Sequence, residues 1–279
     1  MSFFARLSKA RTGLPTVHTF TFIPSLVRDS SSITRRALYS LAGMSFRMNI
    51  PPSQDLDHVI ALTEFARERL ISEENIPERN LSVVRYGIPV ESFEQSLRGQ
   101  SEADPGIVFI SGTTKIRGFH TFVSSIPIIK SGFRSAKVAV AVRDREDLER
   151  SHLNGQNGFD IVGPSDLYHS VSSHSIVVMP FWGHVAVDPP LSMLECMAWG
   201  KQVISTPIGS IPEIMSNNRG LVVPPRDARA LGKGVLELLN DQSTGQLLSR
   251  NARAFVRSNY RWDEAIRSIL NIYNRILNN

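Results

Sequence analysis

The sequence predicts an α/β protein built on parallel sheet with helices on both faces, and three observations predict it. Short apolar runs of strand length alternate with longer stretches of helical spacing, the pattern of repeated βαβ units. The stretch Ser175–Ile214 (SIVVMPFWGHVAVDPPLSMLECMAWGKQVISTPIGSIPEI) compresses that alternation into strand, loop, helix, strand, loop, helix. Composition is the third: 42% hydrophobic and 20% charged residues over 279 positions is the balance of a soluble globular chain, long enough for one large core or two modest ones.

Taken in order, Leu14–Phe20 (LPTVHTF) reads as a strand and Ser32–Met48 as a solvated helix. Asp57–Leu62 is a short buried strand, and Thr63 is an N-cap for the helix that begins at Glu64. Leu81–Arg85 is a further strand, closed by Tyr86-Gly87-Ile88-Pro89. Glu91–Asp104 is polar and without periodicity, the composition of a linker between two domains. Gly106–Ser111 (GIVFIS) is an apolar strand that runs into the basic loop Gly112–Gly118 and then a helix, Phe119–Lys130.

Lys137–Val142 and Phe159–Val162 are short strands, and Asp166–Ser172 opens a helix after Gly163-Pro164. Ile176–Met179 fits a buried parallel strand, although by periodicity alone a buried helical segment fits as well. Pro189 and Pro190 stand where a helix begins, and Ser192–Trp199 carries apolar residues at helical spacing up to Gly200. Gln202–Ser205 and Gly220–Val223 are the remaining strands, and Ala228–Asn240 and Thr244–Asn259 are amphipathic helices. The last helix, Trp262–Leu277, places Trp262, Ile266, Ile269, Leu270, Tyr273 and Leu277 on one face, which is expected to be buried.

A net charge of +5 and a pI near 9.6 point to acidic partners, and the basic residues are mostly Arg, whose planar fork suits phosphate. Arg richness also follows from genome composition alone. The first fifty residues set Arg6, Lys9, Arg11, Arg28, Arg35, Arg36 and Arg47 against Asp29, with Phe3, Phe4, Phe20, Phe22 and Phe46 between them. Such a segment reads either as an ordinary helix packed on a sheet or as a surface that meets an anionic membrane. Cys196 is the only cysteine, so no internal disulfide forms, and it sits on the apolar side of its helix as a small hydrophobe. No apolar run approaches the ~20 residues that span a bilayer, and MSFFARLSKAR lacks the apolar core of a signal peptide. A cytoplasmic protein, at most peripheral at the inner membrane face, is expected. The seven His are scattered without metal-ligand spacing, so no metal and no cofactor are expected.

LECMAWG (Leu194–Gly200), QVIST (Gln202–Thr206) and GSIPEI (Gly209–Ile214) stand in the order and spacing of a known signature. It consists of a Glu, seven residues, a second Glu, Ala-Met-Ala-x-Gly, a Pro-Val strand and Gly-Gly-x-Pro-Glu. The chain thereby resembles the retaining nucleotide-sugar-dependent glycosyltransferases of the GT-B fold (glycosyltransferase group 1, or family 4). The resemblance is strong over residues 105–279 and weak over 1–104. It implies a complete C-terminal Rossmann-like domain with a parallel sheet over 105–260 and a partial N-terminal, acceptor-side Rossmann-like domain over 1–90. It further implies a linker over 91–104 and a helix over 261–279 that crosses back to the first domain.

The resemblance also assigns a site. The family's Gly-Arg-Leu loop and Lys-Gly pair neutralise the donor diphosphate; here Gly112 and Thr113 begin the loop, Arg117-Gly118 takes the Lys-Gly place, and Lys115 stands beside it. Leu191 and Ser192 offer amides at a helix start, because Pro189 and Pro190 carry none; Met193 is a third donor of that turn. Glu195 occupies the second Glu, which implies contact with the donor ribose. The first Glu falls on Val187, with Asp188 beside it as the nearest acid. His18, at the end of a strand like the family's Thr-x-His strand, is the candidate on the acceptor side.

The resemblance thus implies an enzyme that transfers a sugar from a nucleotide-sugar donor to a glycan, lipid or small-molecule acceptor. No nucleic acid is expected as partner. The absence of the family's first βα units admits a separate chain supplying that half, a truncated reading frame, or a compact member. The loss of the acid at Val187 keeps open a non-catalytic nucleotide-sugar-binding module, and an epimerase of the same fold fits less of the signature.

Overall fold

The computed structural model describes residues 17–19, 57–90, 104–142, 158–163, 171–184 and 188–278. The expected helix Ser32–Met48, residues 91–103 of the linker and most of Asp166–Ser172 lie outside them. The chain divides into two units, one of Met1–Ile88, Ala186–Pro189 and Tyr260–Asn279, the other of Pro89–Val185 and Pro190–Asn259.

The larger unit holds β4 (Asp104–Ile110), α2 (Phe119–Gly132), β5 (Lys137–Ala141), β6 (Asp160–Val162), β7 (His174–Met179), α3 (Leu191–Ala198), β8 (Gln202–Ser205), α4 (Ile211–Met215), β9 (Leu221–Val222), α5 (Ala228–Asn240) and α6 (Gln242–Asn259). Its six strands form one sheet in the order β6-β5-β4-β7-β8-β9, and every pair is parallel. β4 begins at Asp104, two residues before the start expected from the apolar run, with an irregular register against β7 between Asp104 and Ile107. The inner strands β5, β4, β7 and β8 are buried on both faces over most of their length, which is why they read as continuous apolar runs, whereas the edge strands β6 and β9 are partly exposed. One face carries Ile107, Phe109, Val138, Val140, Ile176 and Val178 against Phe119, Phe122, Ile126 and Ile129 of α2 and Leu231, Val235 and Leu238 of α5. At ~2 kcal/mol for each large apolar side chain removed from water, this cluster dominates the stability of the unit. Helix α5 starts where Asp227 accepts from the Ala230 N–H at 2.8 Å, an ordinary Asp cap.

The smaller unit has a parallel sheet β1-β2-β3 made of Val17–Thr19, His58–Ala61 and Leu81–Val83. Helix α1 (Glu64–Ser72) begins with the Thr63 hydroxyl accepting from the Ala66 N–H at 3.1 Å. It buries Ala66 and Leu70 against Val59, Ala61 and Leu81 on one side of the sheet. On the other side Ile60 and Val84 meet α7 (Trp262–Leu277) through Ala265 and Ile272, with Ile269 and Ile276 alongside.

That packing corrects the expected face of α7. Trp262, Ile266, Leu270, Tyr273 and Leu277 are exposed, Trp262 by 56% and Leu277 by 61%, and of the six residues expected inside only Ile269 joins the core. The helix carries two apolar stripes, and 3.6-residue spacing is satisfied by both. The smaller Ala265-Ile269-Ile272-Ile276 stripe is the one that packs close to the strands.

Candidate functional site

In the larger sheet the chain leaves β4 toward β5 and β6 on one side, then returns to β7 and continues outward through β8 and β9 on the other. Neighbouring connections therefore diverge between β4 and β7, and such a switch point opens a crevice at the carboxyl ends of those two strands. The residues found there are Ser111–Gly118 after β4 and Pro180–His184 after β7.

The segment after β4 closes into a single 3-10 turn, Lys115–Arg117, in which the Arg117 N–H donates to Thr114 O (3.1 Å) and the Gly118 N–H to Lys115 O (2.9 Å). Gly118 has φ +78, and a Cβ at that position would collide with the Pro180 carbonyl, so glycine is required where the two segments meet. The Trp182 N–H donates to Ile116 O at 2.9 Å. The Trp182 indole N–H bonds the Thr121 hydroxyl, and the Arg226 guanidinium lies 5.3 Å above the Trp182 ring. Below them the buried Ser205 hydroxyl donates to Met179 O (2.7 Å) and that of Thr206 to Phe181 O (2.6 Å), which pins the exit of β7 to that of β8.

Two helices begin at this end. α2 opens on Gly118 and α3 on Pro190; neither has a side-chain cap or an acidic residue in its first turn. Their first N–H groups have no acceptor within the helix, and the helix dipole adds partial positive charge. At α3 the Met193 N–H is already bonded to Pro190 O (3.0 Å), because the first turn is tight. That removes it from the expected donors and leaves Leu191 and Ser192. Lys115 is exposed and Arg117 half-buried, so the turn carries its two basic side chains at different depths.

Gly112, Thr113, Lys115 and Arg117 thus share the carboxyl end of two adjacent strands with Leu191, Ser192 and Glu195, the last one turn into α3 and half-buried. His18 and Asp188 belong to the other unit. The His18 backbone pairs with Val59 in β1-β2, and its side chain lies outside the described residues. Asp188 is half-buried; burial first and the Asp188 carboxylate second push the Tyr86 phenol above its usual pKa. Ser111, Trp182 and Arg226 were not marked by any sequence pattern. Ser111 ends an apolar run like any strand terminus, and the partners of Trp182 lie 44 to 66 residues away along the chain.

Residues 104–241 match the family Glycosyl transferases group 1. An uncharacterized glycosyltransferase of Methanocaldococcus jannaschii is 18% identical over 237 residues, covering 80% of this chain and 59% of that protein. The chain therefore spans little more than half the length of that relative. A solved glycosyltransferase of Rickettsia africae superposes with TM-score 0.69 at 20% identity, over 100% of this chain and 81% of its own. Anabaena HepE, solved in complex with UDP-glucose, gives TM-score 0.71 at 14% identity, over 99% of this chain and 75% of its own. The fold is α/β of the GT-B type, with parallel Rossmann-like sheet.

Proposed function

We propose that this chain is a retaining, metal-independent glycosyltransferase that moves a sugar from a nucleotide-sugar donor to a glycan, lipid or small-molecule acceptor. The observation that carries the proposal is the uncapped, acid-free basic turn Lys115–Arg117, fastened to the exit of β7 at the switch point of the sheet. Sugar transfer builds positive charge on the sugar carbon and leaves negative charge on a departing diphosphate. Fixed cations and amides aimed at that diphosphate lower the barrier without rearranging.

Arg117 and Lys115 would neutralise the phosphates, with Gly112 and Thr113 letting the backbone approach and the Leu191 and Ser192 N–H groups donating. Glu195 would hold the ribose, and Asp188 would meet the sugar hydroxyls in place of the acid missing at Val187. Residues 1–90, His18 among them, would serve the acceptor, and the Arg-rich first fifty residues would favour a cytoplasmic enzyme peripheral to an anionic membrane. The match of residues 104–241 and the UDP-glucose bound by a neighbour of the same fold support the donor class.

A second reading, a nucleotide-sugar-binding module without turnover of its own, is favoured by Val187 at the first acid's place. Calorimetry against UDP, GDP, ADP and their sugars, followed by donor hydrolysis and transfer assays, separates the two. Binding with turnover and retained anomeric configuration supports the enzyme. Binding without turnover supports the module, and no binding at millimolar nucleotide removes both.

A further inference from the structure

Ser111 is the first residue after β4 and is 7% exposed, yet its Oγ has no hydrogen-bond partner among the described residues. A buried hydroxyl left unpaired costs stability, so such a group calls for a partner that folding alone does not supply. Its direction follows from strand alternation. Ile107 and Phe109 face α2, and the Phe109 ring lies 5.5 Å from that of Phe119 and 5.2 Å from that of Phe122. Continued by one pleat beyond the strand, the same alternation puts Ser111 on the side of the sheet that α2 covers. That 14-residue helix starts at Gly118 with no side-chain cap, and Lys115 and Arg117 immediately precede it.

We propose that Ser111 is a binding residue for the diphosphate of the donor, its Oγ donating to a phosphate oxygen held at the start of α2. The proposal rests on the transferase reading and adds a residue to it. A hydroxyl that stays buried and unpaired until an anion arrives trades stability of the free protein for affinity. The two effects therefore have opposite signs in one variant, which a purely structural serine would not show.

The test is calorimetric titration with UDP and with inorganic pyrophosphate, together with ligand-free thermal unfolding, on the full chain and on Ser111→Ala and Ser111→Thr. Ser111→Ala is expected to weaken both ligands about tenfold and to raise the ligand-free Tm by about 2 °C. Ser111→Thr, which keeps the hydroxyl, is expected to restore most of the affinity. Affinity within twofold of the parent in Ser111→Ala, or affinity and Tm falling together, overturns the assignment while leaving the transferase reading intact. Loss of UDP with pyrophosphate unchanged moves the hydroxyl to the nucleoside and overturns it as well. If the parent binds neither ligand, the transferase reading falls and this assignment with it.

Discussion

The Trp182 N–H donates to the Ile116 carbonyl at 2.9 Å, so the exit of β7 holds the basic turn that follows β4. The indole strengthens that tie through Thr121 at the start of α2 and Arg226 beyond β9. Three segments far apart in sequence are thus fixed around one side chain. Trp182→Ala keeps the backbone bond but loses both side-chain ties. It is expected to weaken UDP about tenfold and to cost ~2 kcal/mol of stability. Trp182→Phe keeps a ring beneath Arg226 and should lose less of each, as read by calorimetry and urea unfolding. Equal loss in both variants would show that the indole N–H, not the ring, does the holding.

Arg117 and Lys115 stand on one 3-10 turn with different exposure, Arg117 half-buried and Lys115 exposed. A cation partly shielded from solvent is worth more to a phosphate than one screened by water. Arg117→Ala is therefore expected to abolish the thermal shift caused by UDP, and Lys115→Ala to reduce it. Asp188→Ala should only weaken the shift of a UDP-sugar, because its proposed contact is to sugar hydroxyls. A full UDP response in Arg117→Ala would remove the turn from the site.

The sequence made the larger sheet legible where a strand is buried on both faces. Gln202–Ser205 is found with the bounds that its apolar run predicts, and Ala228–Asn240 with those set by Asp227 and the turn at Asp241. The loop Gly112–Gly118 was legible because glycine and Arg/Lys between a strand and a helix are a local pattern. What sequence spacing left out is tertiary. The orphan state of Ser111, the partners of Trp182 and the early capture of the Met193 N–H by Pro190 each depend on where other segments come to lie. The start of β4 at Asp104 was hidden because two polar or ring residues precede its apolar run.

The inverted reading of α7 yields a direct comparison within one helix. Ile272 is buried between the helix and β2, whereas Leu270, two residues earlier, is 56% exposed. Ile272→Ala should cost ~2–4 kcal/mol in urea unfolding, and Leu270→Ser should stay within ~0.5 kcal/mol. If Leu270→Ser proved the more damaging of the two, the buried stripe would be the one first expected from the sequence.

Lys201 supplies a pH dependence whose sign is fixed. Its ammonium is buried and donates to Ser172 O at 2.7 Å; burial lowers its pKa from 10.5 to about 8, with Cys196 acting in the opposite direction. Below about pH 8 the lysine is charged in both folded and unfolded chains, and the folded state bears the full cost of burying it. Between about 8 and 10.5 the unfolded chain binds more protons than the folded one, so this group's contribution to stability rises with pH. The rise is on the order of 3 kcal/mol at most. Lys201→Met removes the titration together with the bond to Ser172, so the parent should gain on the variant as pH goes from 7 to 10. Urea unfolding of both proteins across that range reads the difference directly. A constant gap would mean that the lysine keeps its charge in the fold, and that the Ser172 carbonyl compensates its burial fully.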